Sequence, residues 1–102
     1  MSVYAIAFDL DTDTLEKTYG SQSYNNAYND IKSVLNTYGF TRQQGSVYFG
    51  DDKVDAVKAV MATQKLAKKF KQWFPASVRD IRMLRIEDNN DLRPAIEEAL
   101  SD

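Results

Sequence analysis

Hydrophobic positions along the chain fall into separate groups, and their spacing differs from group to group. The first group is continuous: Val3-Tyr4-Ala5-Ile6-Ala7-Phe8, stopped abruptly by Asp9. It lacks the polar and apolar alternation of a half-exposed strand, so it predicts a strand buried on both faces. A carboxylate at the end of such a strand is held in a fixed place. A polar stretch follows, Asp11 to Gln22. Ser23, a good N-cap, then leads into Tyr24, Ala27, Tyr28, Ile31, Val34, Leu35 and Tyr38, whose offsets trace one face of a helix. Gly39 stands where a C-cap glycine is expected. Phe40 to Gln43 predicts a short strand, and Gln44-Gly45 a turn into a second one, Ser46-Val47-Tyr48-Phe49.

A second helix is expected after Asp51 or Asp52, with Val54, Val57, Val60 and Met61 on its apolar side. Leu66, Phe70, Trp73 and Phe74 keep helical spacing among themselves but face nearly the opposite way, which predicts a kink or turn near Thr63 to Lys65. Pro75 is expected to close the second piece, Val78 to Ile86 to form a long strand, and Leu92 to Leu100 a terminal helix capped by Asp91. The order β-α-β-β-α-β is the split arrangement of ferredoxin-like α+β folds, an antiparallel sheet with helices on one face and here a C-terminal helix. A first strand apolar on both sides then needs a cover for its bare face. The simplest cover is a second copy, giving a sheet-to-sheet homodimer.

Composition narrows the chemistry. With 102 residues and no repeat or linker, residues 1–102 predict a single domain. No stretch approaches the roughly 20 apolar residues of a membrane span, and the N-terminus is not laid out as a signal peptide, so a cytoplasmic protein is expected. There are no cysteines and no histidines. Catalysis would therefore fall to carboxylates, hydroxyls, Lys or Arg. A net charge of -2 offers no general attraction for nucleic acid. Local basic patches exist at Lys65, Lys68, Lys69 and Lys71 and at Arg79, Arg82 and Arg85, each of which also reads as a solvated surface. Docking of the Lys65 to Lys71 segment on anionic membrane is disfavoured because the core needs its apolar residues.

Asp9-Leu10-Asp11-Thr12-Asp13 is similar to the acidic nucleophile loop of aspartate-dependent phosphatases. However, Asp13 replaces the expected Thr or Val, and the chain is too short for a doubly wound sheet. An EF-hand loop fits less well, lacking its sixth-position Gly and its bidentate Glu. Ser46 either points into a cleft or bonds its own backbone. Arg79 or Arg82 is expected to pair with Asp80 at the start of the last strand.

Taken together, YAIAFDL at residues 4–10, YNNAYNDI at 24–31, YGF and QGSVY within 38–48, SVRDIR at 77–82 and IED at 86–88 resemble the virulence-associated protein D (VapD) family of small bacterial proteins. That resemblance implies a ferredoxin-like homodimer, similar to the small nucleases of CRISPR adaptation complexes. It also implies endoribonuclease activity and a toxin role in a toxin-antitoxin pair, with an antitoxin protein as a further partner. By motif it implies a site of Asp9, Ser46 and Asp80, with Leu15 shaping the pocket. Asp9 of the two subunits would face each other, sharing a proton or holding Mg²⁺. Ser46 would position the phosphate or a water, Asp80 would orient a partner group, and Arg79 and Arg82 would hold RNA phosphates. Asp11 and Asp13 depart from the pattern and add charge that repels phosphate unless a cation intervenes. The competing expectation is a non-catalytic dimeric binding or antitoxin-partner module in which the same residues are structural.

Overall fold

The computed structural model describes residues 3–20 and 24–101. The elements run β1 (Val3–Leu10), α1 (Thr12–Thr18), α2 (Asn25–Thr37), β2 (Phe40–Gln44), β3 (Val47–Gly50), α3 (Ala56–Lys69), α4 (Phe74–Ser77), β4 (Val78–Ile86) and α5 (Arg93–Leu100). The chain is a mixed α+β structure around one open four-stranded antiparallel sheet of order β2-β3-β1-β4.

Strand β1 is central. It pairs with β4 from Val3↔Ile86 to Leu10↔Val78, and with β3 from Ala5↔Phe49 to Ala7↔Val47. Its alternate residues Tyr4, Ile6, Phe8 and Leu10 join one hydrophobic cluster with Leu15 of α1, Ala27, Ile31, Val34 and Leu35 of α2, Ala59, Ala62 and Leu66 of α3, and Phe74 of α4. Val3, Ala5 and Ala7 belong to the other face, with Val47, Phe49, Leu84 and Ile86 beside them by register. The first strand is thus apolar on both faces, as its sequence implies, but helices pack on only one of them. Alternation is hidden because its open-face positions are small apolar residues.

Helix α1 is not predicted by the polar stretch. It forms because the Asp11 carboxylate accepts from the Asp13 amide (3.2 Å) and the Thr14 hydroxyl (3.0 Å), and because the single apolar residue Leu15 is fully buried. The expected cap of α2, Ser23, lies outside the described residues, and Tyr24 at the N-cap makes no side-chain capping bond.

Helix α3 is continuous through Thr63 to Lys65, so the expected kink is absent. Its large residues are not its buried side: Val57, Val60 and Met61 are exposed, and Ala59, Ala62 and Leu66 make the buried stripe. Those three lie in phase with Phe70 and Trp73, which removes the apparent break. The helix starts at Ala56 rather than just after Asp52, because the Asp55 carboxylate accepts from the Lys58 amide (2.9 Å). It ends at Lys69, and Pro75 sits in the first turn of one-turn helix α4 instead of closing the preceding helix. That is where a missing N–H is harmless.

At the other end, Asp91 accepts from the Arg93 amide (2.9 Å), but Leu92 is the N-cap of α5. No residue of α5 is buried, and Leu92, Ile96 and Leu100 are 72%, 60% and 80% exposed. The molecule extends to 52 Å with a radius of gyration of 16.0 Å, against about 13 Å for a compact chain of this length.

Two features carry measurable consequences. Gly39 ends α2 at φ +90°, and a Cβ there would lie 2.8 Å from Val54 Cγ2. Gly39→Ala is expected to cost about 2 kcal/mol in urea unfolding, from backbone strain and that clash. Tyr19 packs edge-on against Trp73 and donates its hydroxyl to Asp30 (2.7 Å). Burial first, then Asp30, pushes its phenol up to about 12 from 10.0. The unfolded chain loses this proton first on raising pH, so the contribution is intact below pH 10 and is lost as pH rises toward about 12. Tyr19→Phe should therefore flatten the alkaline fall in unfolding free energy over that window.

Candidate active site

The antiparallel β1–β4 pairing sets the site. Because β4 begins where β1 ends, Asp9 lies directly across from Asp80, and Ala7 across from Arg82. Like charges opposite each other on one sheet face repel, so the pair needs cations beside it. Arg79 supplies one: its guanidinium lies 3.9 Å from the Asp9 carboxylate and 3.7 Å from that of Asp11. Arg82 supplies the other, with Nε donating to both Asp80 oxygens at 3.2 and 3.0 Å. The Arg82–Asp80 pairing is one of the two alternatives expected from sequence. Arg79 instead bridges two aspartates of the β1 end. Asp9, Arg79, Asp80 and Arg82 are all exposed.

The backbone at this point is built to hold Asp9 outward while the chain turns back. The register shifts between Asp9 and Leu10, Leu10 enters the core, and the Asp11 amide donates to the Ser77 carbonyl at 2.7 Å. Asp11 is held below the usual carboxylate range, chiefly by the Thr14 hydroxyl. Partial burial opposes that effect, while the Asp13 and Thr14 amides and Arg79 reinforce it. Its negative charge is thus already matched by the start of α1 and by Arg79, which answers the expected repulsion for Asp11.

Ser46 reaches the same end of the sheet through its backbone: its carbonyl accepts from the Phe8 amide at 3.1 Å. It lines a cavity of about 260 Å³ with Tyr28, Asn29, Lys32, Arg42, Gly45 and Tyr48. Burial, then Tyr24 and Asp9, raise the Tyr28 phenol. Leu15 is fully buried in the main cluster, where it fixes α1 and hence Asp11. Lys32 and Arg42 are not singled out by the sequence, and Tyr28 is read there only as part of the α2 apolar face and a family motif. They come from α2 and β2, and only the fold brings them beside Ser46.

A divalent cation at Asp9 and Asp80 would have to displace two guanidinium groups. Among the described residues no group of three or more His, Cys, Asp or Glu converges. The described residues of this chain do not fit a Mg²⁺ site. What the arrangement offers chemically is an exposed carboxylate for proton transfer with a guanidinium beside it for a phosphate; Ser46 lines the separate cavity on the helix side of the sheet.

This geometry sits on a chain with close relatives. The profile of the family CRISPR associated protein Cas2 matches residues 1–93. Endoribonuclease VapD 2 of Riemerella anatipestifer is 51% identical over 94 residues, covering 92% of this chain and 99% of that protein. The chain belongs to the VapD family. An Endoribonuclease VapD homolog of Helicobacter pylori is 47% identical over 94 residues (92% of this chain, 96% of the relative). Endoribonuclease VapD of Dichelobacter nodosus is 39% identical over 99 residues (95% and 100%). The VapD resemblance read from the motifs holds along nearly the whole chain. No helix among the described residues is long and apolar enough to cross a membrane.

Proposed function

We propose that this VapD-family chain is an endoribonuclease that cleaves RNA phosphodiester bonds at the end of β1. The observation that carries the reading is the exposed Asp9 carboxylate with the Arg79 guanidinium beside it and Asp80 across the register. The names of the relatives support the same activity. Asp9 acts as the proton-transfer group toward the attacking hydroxyl or water. Arg79 exchanges its weak, exposed contact with Asp9 for the phosphate. Asp80 keeps Arg82 in place for the neighbouring phosphate, and Ser46 positions the scissile group or a water.

The strand order and the helix-free sheet face support a ferredoxin-like subunit whose open face meets a second copy. The patch of Val3, Ala7, Val47, Phe49, Leu84 and Ile86 is its centre, and Asp9 borders it. An enzyme that cuts RNA in its own cell needs restraint, which favours the toxin of a toxin-antitoxin pair with an antitoxin protein as partner. The second reading, a non-catalytic binding module, is favoured by the pairing of both arginines with aspartates.

Purified protein incubated with RNA, with and without Mg²⁺ or EDTA, separates the two. Cleavage is expected to fall on the order of a hundredfold or more in Asp9→Asn, whereas equal cleavage by wild type and variant overturns the catalytic reading. Sedimentation velocity at micromolar concentration is expected to show a dimer that Leu84→Lys converts to monomer. A monomeric wild type would remove the face-to-face arrangement.

A further inference from the structure

The cavity beside Ser46 does not stand alone. A second, of about 660 Å³, is lined by Lys32, Asn36, Thr41, Arg42, Gln43, Gln44 and Gly45. Lys32, Arg42 and Gly45 are common to both, so the two form one groove between α2 and the β2–β3 hairpin. The groove begins beside Ser46, whose carbonyl accepts from the Phe8 amide, on the helix-covered face of the sheet, whereas Asp9, the next residue of β1, lies on the opposite face with Ala5 and Ala7.

Its lining combines cations, amides and aromatic rings. The chain carries 15 acidic and 13 basic residues, yet no carboxylate lines either cavity among the described residues. Two cations do, together with the amides of Asn29, Asn36, Gln43 and Gln44 and the rings of Tyr28 and Tyr48. Tyr28, Lys32 and Asn36 recur every four residues along one edge of α2. Arg42 is held across the turn, its Nε donating to the Gly45 carbonyl at 2.9 Å, and it lies opposite Tyr48 in register. Fixed cations spaced along a channel neutralise a phosphate backbone. A half-buried aromatic face stacks on an unpaired base, and side-chain amides read base edges. At the catalytic end, by contrast, both arginines are already engaged by aspartates.

We propose that this groove is the binding track for single-stranded RNA, with Lys32 and Arg42 on the phosphates and Tyr28 stacked under a base, the strand passing round the end of β1 to reach Asp9. The assignment rests on the endoribonuclease reading for its substrate. The α3 lysines are the competing basic surface, but the space beside Lys65 and Lys68, lined also by Tyr38, Met61 and Gln64, shares no residue with the groove.

The test is fluorescence anisotropy of a labelled single-stranded RNA across a salt series, on the Asp9→Asn background so that the RNA stays intact. Lys32→Gln, Arg42→Gln and Tyr28→Leu are each expected to weaken binding on the order of tenfold. Lys32→Gln with Arg42→Gln should lower the salt slope by about 1.4, roughly 0.7 for each phosphate no longer neutralised. Lys58→Gln, an equal charge change on exposed α3, should leave both unchanged, and thermal melts of all variants confirm that they fold. Unaltered affinity and salt slope in the three groove variants would overturn the proposal, as would an equal loss in Lys58→Gln. Cleavage measured in parallel keeps the two readings apart. Groove-dependent binding without cleavage by wild type leaves the track and removes the nuclease. Asp9-dependent cleavage with groove-independent binding does the reverse.

Discussion

The double pairing of β1 is the constraint on which the rest of the structure depends. Bonded to β3 on one side and β4 on the other, it fixes where every neighbouring strand begins and ends. Its alternate large side chains, Ile6, Phe8 and Leu10, supply the surface on which α1 to α4 close the core. Because β4 runs antiparallel and starts beside the end of β1, Arg79, Asp80 and Arg82 are delivered to Asp9 without any specialised loop. The register shift after Asp9 lets the next residue return to the core while the carboxylate remains outside. Site and core are therefore products of the same ladder.

Charge is arranged locally on a chain whose net value says little. The aspartates at the end of β1 and the start of β4 are matched by two arginines from β4. Exposed pairs of this kind contribute about 0–1 kcal/mol, so a phosphate can replace the carboxylate partner at small cost. The groove behind the hairpin has the opposite character, with cations, amides and rings and no acid among its described lining. An acidic protein can in this way present a basic path to RNA, since affinity follows the charges within a Debye length of the backbone rather than the total.

Several elements are legible because their local signals agree. The α2 stripe, the glycine at its end, the Gly45 turn and the long β4 segment each combine propensity, spacing and punctuation, and each is found within a residue or so of its expected place. The departures from expectation have a common origin, since burial here does not follow side-chain size. In α3 the buried positions are mostly alanines, which let the helix approach the sheet closely, and Val57, Val60 and Met61 lie outside. In α1 a single leucine suffices, because an aspartate cap satisfies the first turn and the neighbouring α4 covers the rest. Pro75 signals a helix boundary equally well as a first-turn residue or as a terminator, and only the packing of Phe74 decides between them.

By itself the sequence determined that this is one α+β chain with a buried opening strand ending in Asp9, that cysteine and histidine chemistry is absent, and that its motifs are those of the VapD family. Periodicity and residue type act over a few residues, so they carry such information directly. The tertiary structure alone decided that Arg79 bridges Asp9 and Asp11, and that Ser46 adjoins Tyr28 of α2 rather than standing in a hairpin by itself. It alone decided that Lys32 and Arg42 share a groove and that α5 projects unburied. Those relations join segments distant in sequence through strand register and helix placement, and register is a property of the assembled sheet that no single segment encodes.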